Sequence, residues 1–341
     1  MYDNVNQNSG LAMELPELSL EQRRVLIDAQ QKYSAWREAD RAFRASNKGS
    51  MSWKRSSGKE YLYRIDGKVQ RSLGARSPET EKLKADYMAS RTASRRRVTK
   101  MRDGIKSAAR INRAMGLARV PNIAANVLRA LDHEGLLGDG IFVVGTHALF
   151  AYEATSGVMF VPELLATTDL DLLADVRSRL VLALDDNKRR GVMACLHNVD
   201  KSFAVQGDLF RAVNDDGYFV DFIRPMRKNE VFAKEIDLGG VEPAAIEGLE
   251  WLVNAPRFNA VAIAEDGEPV YMSCVDPRAF ALHKLWVSKR PNRERLKARR
   301  DAAQAAAVAQ VAELLGLTFN RRDLAALPAA LLAELPQISK R

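Results

Sequence analysis

The chain has 341 residues, 47% hydrophobic and 28% charged, a balance that suits a folded protein with about two or three compact units and excludes a disordered or fibrous one. No apolar run approaches the roughly 20 residues needed to span a bilayer, and the start Met1-Tyr2-Asp3-Asn4 lacks a signal pattern, so a cytosolic protein without membrane contact is expected. Cys195 and Cys274 stand far apart, which excludes a disulfide framework or a cysteine zinc site, and the four histidines lack ligand spacing.

Net charge is +9, but it is unevenly spread. Residues 41 to 120 hold 22 Lys and Arg against 6 Asp and Glu, a local +16 that leaves −7 for the rest. Such a segment can bind a phosphate backbone by displacing counterions, or can simply be a solvated helix face.

In chain order, residues 1–18 read as a flexible tail. Ser19-Leu20-Glu21-Gln22 is a capping box, and Leu26, Ala29, Tyr33, Trp36 and Phe43 follow at helical spacing. A Ser, Gly and Lys-rich break at 47–58 precedes Tyr61 to Val69, where Asp66-Gly67 between β-prone arms predicts a hairpin. Ser77-Pro78-Glu79 starts a second helix, running to about Gly116, with Val98, Met101, Ile105 and Ala108 on one side. Its other side carries Arg91, Arg95, Arg96, Arg97, Lys100 and Arg102, the candidate nucleic-acid contacts. Residues 19–119 thus read as a basic helical arm with a small β-hairpin.

Pro121 opens a further helix that ends near Gly135-Leu-Leu-Gly138-Asp-Gly140. Those glycines precede a strand rather than follow one, which rules out a dinucleotide loop. Strand 141–145, a helix over 148–155, strand 169–173, a helix from about Val176, a strand near 203–206 and strand 218–223 make an α/β unit over 120–237. The remainder, 238–341, is expected to be mainly helical. Helix 244–254, strands 258–264 and 269–275, a helix from Asp276-Pro277, a long basic then Ala-rich helix ending near Gly316 and a last helix over 322–335 make it up. The alanine-rich helices and the arm could each pack within the chain or on a second copy, so an oligomer stays open.

Three acids carry the chemistry. Asp169 and Asp171 lie two apart in an apolar strand and share a face, while Asp221 interrupts Tyr218-Phe219-Val220-Asp221-Phe222-Ile223. Carboxylates in such strands cost several kcal/mol each unless a cation or hydrogen bonds compensate them, and hard cations such as Mg²⁺ take oxygen ligands. Gly145-Thr146 at the end of an apolar strand reads as a phosphate grip facing this metal grip. For His147 a packed or capping role is expected.

In this order, Val143-Val144-Gly145-Thr146-His147, Asp169-Leu170-Asp171 and Asp221 resemble the nucleotidyltransferase superfamily, with its DNA polymerase β-like fold, and the bacterial nucleotidyltransferase-like group within it. Asp276-Pro277-Arg278-Ala279-Phe280 and Arg299-Arg300-Asp301 are similar to that group as well, and the resemblance covers roughly residues 120 to 310. It implies an α+β fold: a mixed sheet with helices, preceded by the helical arm and followed by the mainly helical C-terminal part. It also implies NTP as substrate and Mg²⁺ or Mn²⁺ on Asp169, Asp171 and Asp221, with Gly145 and Thr146 holding phosphates. The reaction the resemblance implies is attack by an acceptor hydroxyl on the α-phosphorus, releasing pyrophosphate. The family pattern has Gly-Ser where this chain has Gly-Thr, and the stretch from Thr146 to Asp169 is long. Lys284 is the candidate triphosphate contact from the C-terminal helices, and Arg224 and Lys201 are weaker ones. The basic arm makes RNA, tRNA above all, the favoured acceptor, with a protein or small molecule also open. The contrasting reading is a non-catalytic nucleic-acid- or partner-binding protein on the same scaffold.

Overall fold

The computed structural model describes residues 15–338 except 48, 68, 178–190, 208, 227–235, 323 and 326. Residues 1–14 of the expected tail and most of the helix expected from Val176 fall outside the described residues; residues 15–18 are not loose, since Leu15 and Leu18 are buried and Glu17 bridges to Val158, where backbone hydrogen bonds hold the segment.

The arm forms as two long helices, α1 (Leu20–Ser46) and α2 (Pro78–Ala114), which pack together. Both start as expected. Ser19 and Gln22 exchange side-chain and backbone hydrogen bonds at 3.2 and 2.8 Å, and Ser77 with Thr80 closes a second capping box next to Pro78. Between the helices lies an antiparallel sheet of β1 (Ser50–Ser56), β2 (Lys59–Asp66) and β3 (Val69–Ala75). The β2–β3 hairpin turns at Asp66-Gly67 as predicted. The break expected over 47–58 is in part a strand: β1 pairs with β2 from Ser50↔Ile65 to Ser56↔Lys59, and this pairing outweighs its weak local propensity.

The main sheet has the order β10-β11-β4-β5-β8-β7-β6, with β9 alongside the far end of β8. Its strands are β4 (Ile141–Val143), β5 (Asp169–Ala174), β6 (Ala204–Val205), β7 (Arg211–Val213), β8 (Phe219–Pro225), β9 (Ala244–Ile246), β10 (Arg257–Ile263) and β11 (Pro269–Val275). The sheet is mixed, with β5 parallel to β8 and antiparallel to β4. Helices α3 (Asn122–His133), α4 (Ala148–Ser156), α5 (Pro162–Leu165) and α6 (Val192–Val199) join these strands. After the sheet's other additions come α7 (Leu249–Asn254), α8 (Pro277–Ser288), α9 (Arg295–Leu314), α10 (Ala329–Leu332) and α11 (Leu335–Ile338). The α+β architecture expected from the sequence is present. The sheet and its apolar core run across residue 238, since β9, β10 and β11 extend it from the mainly helical C-terminal part.

Two expected helices differ. Residues 244–254 hold strand β9 and then α7, because pairing with Ile223, Arg224 and Pro225 draws Ala244-Ala245-Ile246 into the sheet and the chain turns at Gly248. The last helix, expected over 322–335, is two single turns, α10 and α11, with Pro328 at the start of the first. No helix among the described residues is long and apolar enough to cross a membrane.

Ion pairs fasten the arm to the sheet. Asp132 at the end of α3 accepts two bonds from Arg37, at 2.6 and 2.7 Å, and one from Arg41 at 2.7 Å. The Arg37 guanidinium also lies 3.5 Å from the centre of the Tyr271 ring. On α2, Arg102 pairs with Glu268 and covers Trp36, and Asn112 donates to the Gly267 carbonyl at 2.8 Å. Asp132 is almost fully buried, whereas Arg41 is largely exposed. Asp132→Ala should therefore cost about 3 kcal/mol in urea unfolding, by leaving Arg37 desolvated without a counter-ion. Arg41→Ala should cost less than about 1 kcal/mol.

Candidate active site

The sheet register assembles the site. Asp171 on β5 lies directly opposite Asp221 on β8, and Asp221 lies opposite Arg211 on β7. Asp169 comes to the same face because strand side chains alternate. A carboxylate oxygen from each of Asp169, Asp171 and Asp221 lies within 4.8 Å of the other two. Leu170 and Leu172 supply the buried apolar side of β5 and fix its register against the core.

Gly145 follows β4 and faces Asp171 from the other side. Val144 donates its N–H to the Asp171 carbonyl at 3.1 Å, and Gly145 has φ +63°. A Cβ at Gly145 would stand 2.0 Å from Asp171 Oδ2, so only glycine leaves room for that carboxylate. Thr146 is buried, and its hydroxyl accepts from Gln304 Nε2 at 3.2 Å, which leaves the Thr146 proton free to donate. His147 begins α4, packs against Phe150 and Tyr218, and meets the Tyr218 hydroxyl at 3.2 Å. Burial pushes its imidazole down to about 4 against the pull of Asp169, which keeps it neutral, in line with a packed role.

Electrostatics dominate the centre. Burial first, then the neighbouring Asp169, push Asp171 up to about 7, while Lys284 and Arg211 pull it down. Asp169 accepts from the Thr167 hydroxyl. Asp221 is gripped by Arg211 through two bonds, Nε to Oδ1 at 2.7 Å and Nη2 to Oδ2 at 2.5 Å. Lys284 projects from α8 and donates to the fully buried Asp301 of α9 at 2.7 Å, and Arg293 holds the other oxygen of Asp301. Lys284 is thus neither water-facing nor free; its ammonium is fixed near the acids by a buried partner.

Three hard oxygen donors and no nitrogen or sulfur ligand suit Mg²⁺ or Mn²⁺. The space that Gly145 keeps open beside Asp171 fits the same purpose. The weaker candidates sit elsewhere: Arg224 bonds the Pro225 carbonyl, and Lys201 is an exposed turn residue. Of the arm residues, Arg91 bonds Gly49 and Tyr87, and Arg102 is committed to Glu268. Arg95, Arg96, Arg97 and Lys100 are exposed.

Sequence reading missed Arg211, which lies on a three-residue strand after Leu209-Phe210 and finds Asp221 only through strand pairing. It also missed Gln304 and gave Arg300 no task. Gln304 donates to Leu164 O at 2.7 Å as well as to Thr146, and Arg300 donates to Ala166 O at 3.0 Å. One face of α9 therefore holds both the Gly-Thr turn and the approach to Asp169. The Asp301-x-x-Gln304 spacing, polar residues one turn apart in an alanine-rich helix, is the signal that could have revealed it.

Gly145→Ala should displace the Asp171 carboxylate and weaken Mn²⁺ binding roughly tenfold or more, besides costing about 1–2 kcal/mol for the positive φ. Gly157→Ala, at φ +76° with only the Arg23 side chain nearby, should incur the φ cost while leaving Mn²⁺ binding intact. Denaturation and Mn²⁺ titration of both variants separate the two effects.

No curated protein and no solved structure matches the chain. The family described as nucleotidyltransferase matches residues 122–323, a span that starts at α3, contains all three acids and Gly145-Thr146, and runs through Lys284 to beyond α9. With more than half of its length matched, the chain belongs to the nucleotidyltransferase family and is a transferase enzyme of that kind.

Proposed function

We propose that the protein is a divalent-metal-dependent nucleotidyltransferase that moves a nucleoside monophosphate from an NTP to an acceptor hydroxyl of RNA, with tRNA the first acceptor to test. The observation that carries this reading is the convergence of Asp169, Asp171 and Asp221 beside the Gly145 turn.

Asp169, Asp171 and Asp221 would hold Mg²⁺ or Mn²⁺. When bound, the metal supplies charge neutralisation on the phosphates and polarises the reacting phosphoryl group. Thr146, with its oxygen already oriented by Gln304, presents a hydroxyl proton to a phosphate oxygen. Lys284, held by Asp301, sets a fixed positive charge against the leaving pyrophosphate. A bond forms from the acceptor oxygen to the α-phosphorus, and the bond from that phosphorus to the bridging oxygen breaks. The acceptor proton passes to an oxygen of Asp221, whose carboxylate Arg211 holds in place with two hydrogen bonds. The exposed Arg95, Arg96, Arg97 and Lys100 of the arm favour RNA over a small acceptor. Localisation in the cytoplasm belongs to the same reading.

Titration of each NTP with and without Mg²⁺ tests the donor site. One NTP should bind in a metal-dependent way, and Asp169→Asn with Asp171→Asn should weaken it by roughly 100-fold or more. Absence of metal-dependent binding for all four NTPs would refute the donor-site reading and favour a scaffold that binds through its arm.

A further inference from the structure

The arm's small sheet has two unlike faces. The face toward α2 carries Trp53 and Leu62, which pair across β1 and β2, together with Arg64. Leu62 is fully buried, Arg64 lies over the Tyr87 ring of α2, and Arg76 and Lys84 flank Trp53. Strand alternation therefore sends Tyr61 and Tyr63 to the opposite face, with Lys54 of β1 directly across from Tyr61. The Lys54 ammonium stands 5.7 Å from the Tyr63 ring centre, and Ser52 and Ser72 flank Tyr63 on either side. Both tyrosines are partly exposed. Two rings two residues apart on one strand are separated by about 6.7 Å, roughly twice a base-stacking step.

Position and charge restrict what this face can bind. Arg102 is tied to the main sheet through Glu268, and from there to Pro78 the helix extends about 36 Å at 1.5 Å per residue. A small acceptor in the acid site cannot reach that far. Along the way α2 presents Arg95, Arg96, Arg97 and Lys100, none of which forms an ion pair with a described residue. A second copy of the chain would bring one +16 segment against another, and on this face Tyr61, Tyr63 and Ile65 are bordered by Ser50, Ser52, Lys54, Gln70 and Ser72 rather than by further large apolar side chains.

We infer that the outer face of the β1–β2–β3 sheet is a stacking platform for an unpaired stretch of RNA, with Tyr61 and Tyr63 as base contacts and Lys54 as a phosphate contact. This rests on the RNA reading above and adds to it. The arm then selects single-stranded or looped RNA, with the arginine face of α2 following the backbone toward the core. Aromatic stacking tolerates any base, so the platform grips without reading sequence.

Fluorescence anisotropy of the full chain tests it, with a labelled unstructured RNA of about 12 nucleotides, DNA of the same sequence and a fully paired, blunt-ended RNA duplex. Tyr61→Ala with Tyr63→Ala should lower affinity for the unstructured RNA roughly tenfold or more and leave the duplex nearly unchanged. Tyr61→Phe with Tyr63→Phe, which keeps both rings, should retain wild-type affinity, and this pair controls for folding of the sheet. Equal binding by the alanine and wild-type chains would overturn the inference. So would failure of the wild type to bind the RNA, tighter binding of the DNA, or arm-dependent self-association abolished by the alanine pair. NTP binding at the acids, followed in the same samples, is expected to stay unchanged in every variant, so a failure here is distinct from a failure of the donor site.

Discussion

Repulsion among three carboxylates is the constraint around which the core is built. Two charges about 4 Å apart at an effective dielectric of 20 repel by about 4 kcal/mol, and burial adds to that cost. The neighbouring elements answer it. Arg211 neutralises Asp221 from the next strand, Lys284 contributes positive potential from α8, and Thr167 donates to Asp169. What remains unbalanced falls on Asp171, whose carboxyl is driven up to about 7. A proton there or a bound cation completes the balance, and only the cation leaves the Asp171 carboxylate ionised for chemistry.

The sheet turns this constraint into geometry. Gly145 after β4, Asp171 on β5, Asp221 on β8 and Arg211 on β7 form a row across four strands. A slip of one residue between β5 and β8 would turn Asp171 or Asp221 into the core, so the apolar alternation that buries Leu170, Leu172 and Val220 also positions the acids. The helices of the C-terminal part belong to the same construction. Asp301 orients Lys284, Gln304 orients Thr146, and Arg300 secures Ala166 on the way to Asp169. Removing α9 would therefore loosen the phosphate side and the metal side of the site together.

Much of this is legible in the sequence. The capping boxes at Ser19 and Ser77 and the Asp66-Gly67 turn are local chemistry, and each forms as expected. The acids stood out because polar residues in strands as apolar as 169–174 and 219–225 need a reason. What escaped was set by pairing between distant segments. Ala244-Ala245-Ile246 has helical propensity and becomes a strand because β8 offers an edge, while Ser50 to Ser56 reads as a loop until β2 lies beside it. Arg211 is ordinary in the sequence, and its task exists only once β7 sets it opposite Asp221. Likewise Lys284 could be picked out as a cation on a helix, but its buried counter-ion seventeen residues later could not.

The division of charge also follows from the site. With the +16 segment set aside, the rest of the chain is at −7, and its acidic cluster repels any polyanion that approaches without a metal. An enzyme of this family acting on RNA must therefore obtain substrate affinity away from its own catalytic centre. Under the proposed RNA reading that affinity falls to the arm, whose helix α2 carries positive charge outward from its tie at Arg102–Glu268, while Arg37 and Arg41 tie α1 to Asp132. Within about 10 Å, one Debye length at 0.1 M salt, the arm's charge would compete with Mg²⁺ for the carboxylates; beyond that distance screening makes the two sites electrostatically independent. A rigid helix of 37 residues is a direct way to achieve that separation while keeping both parts in one chain.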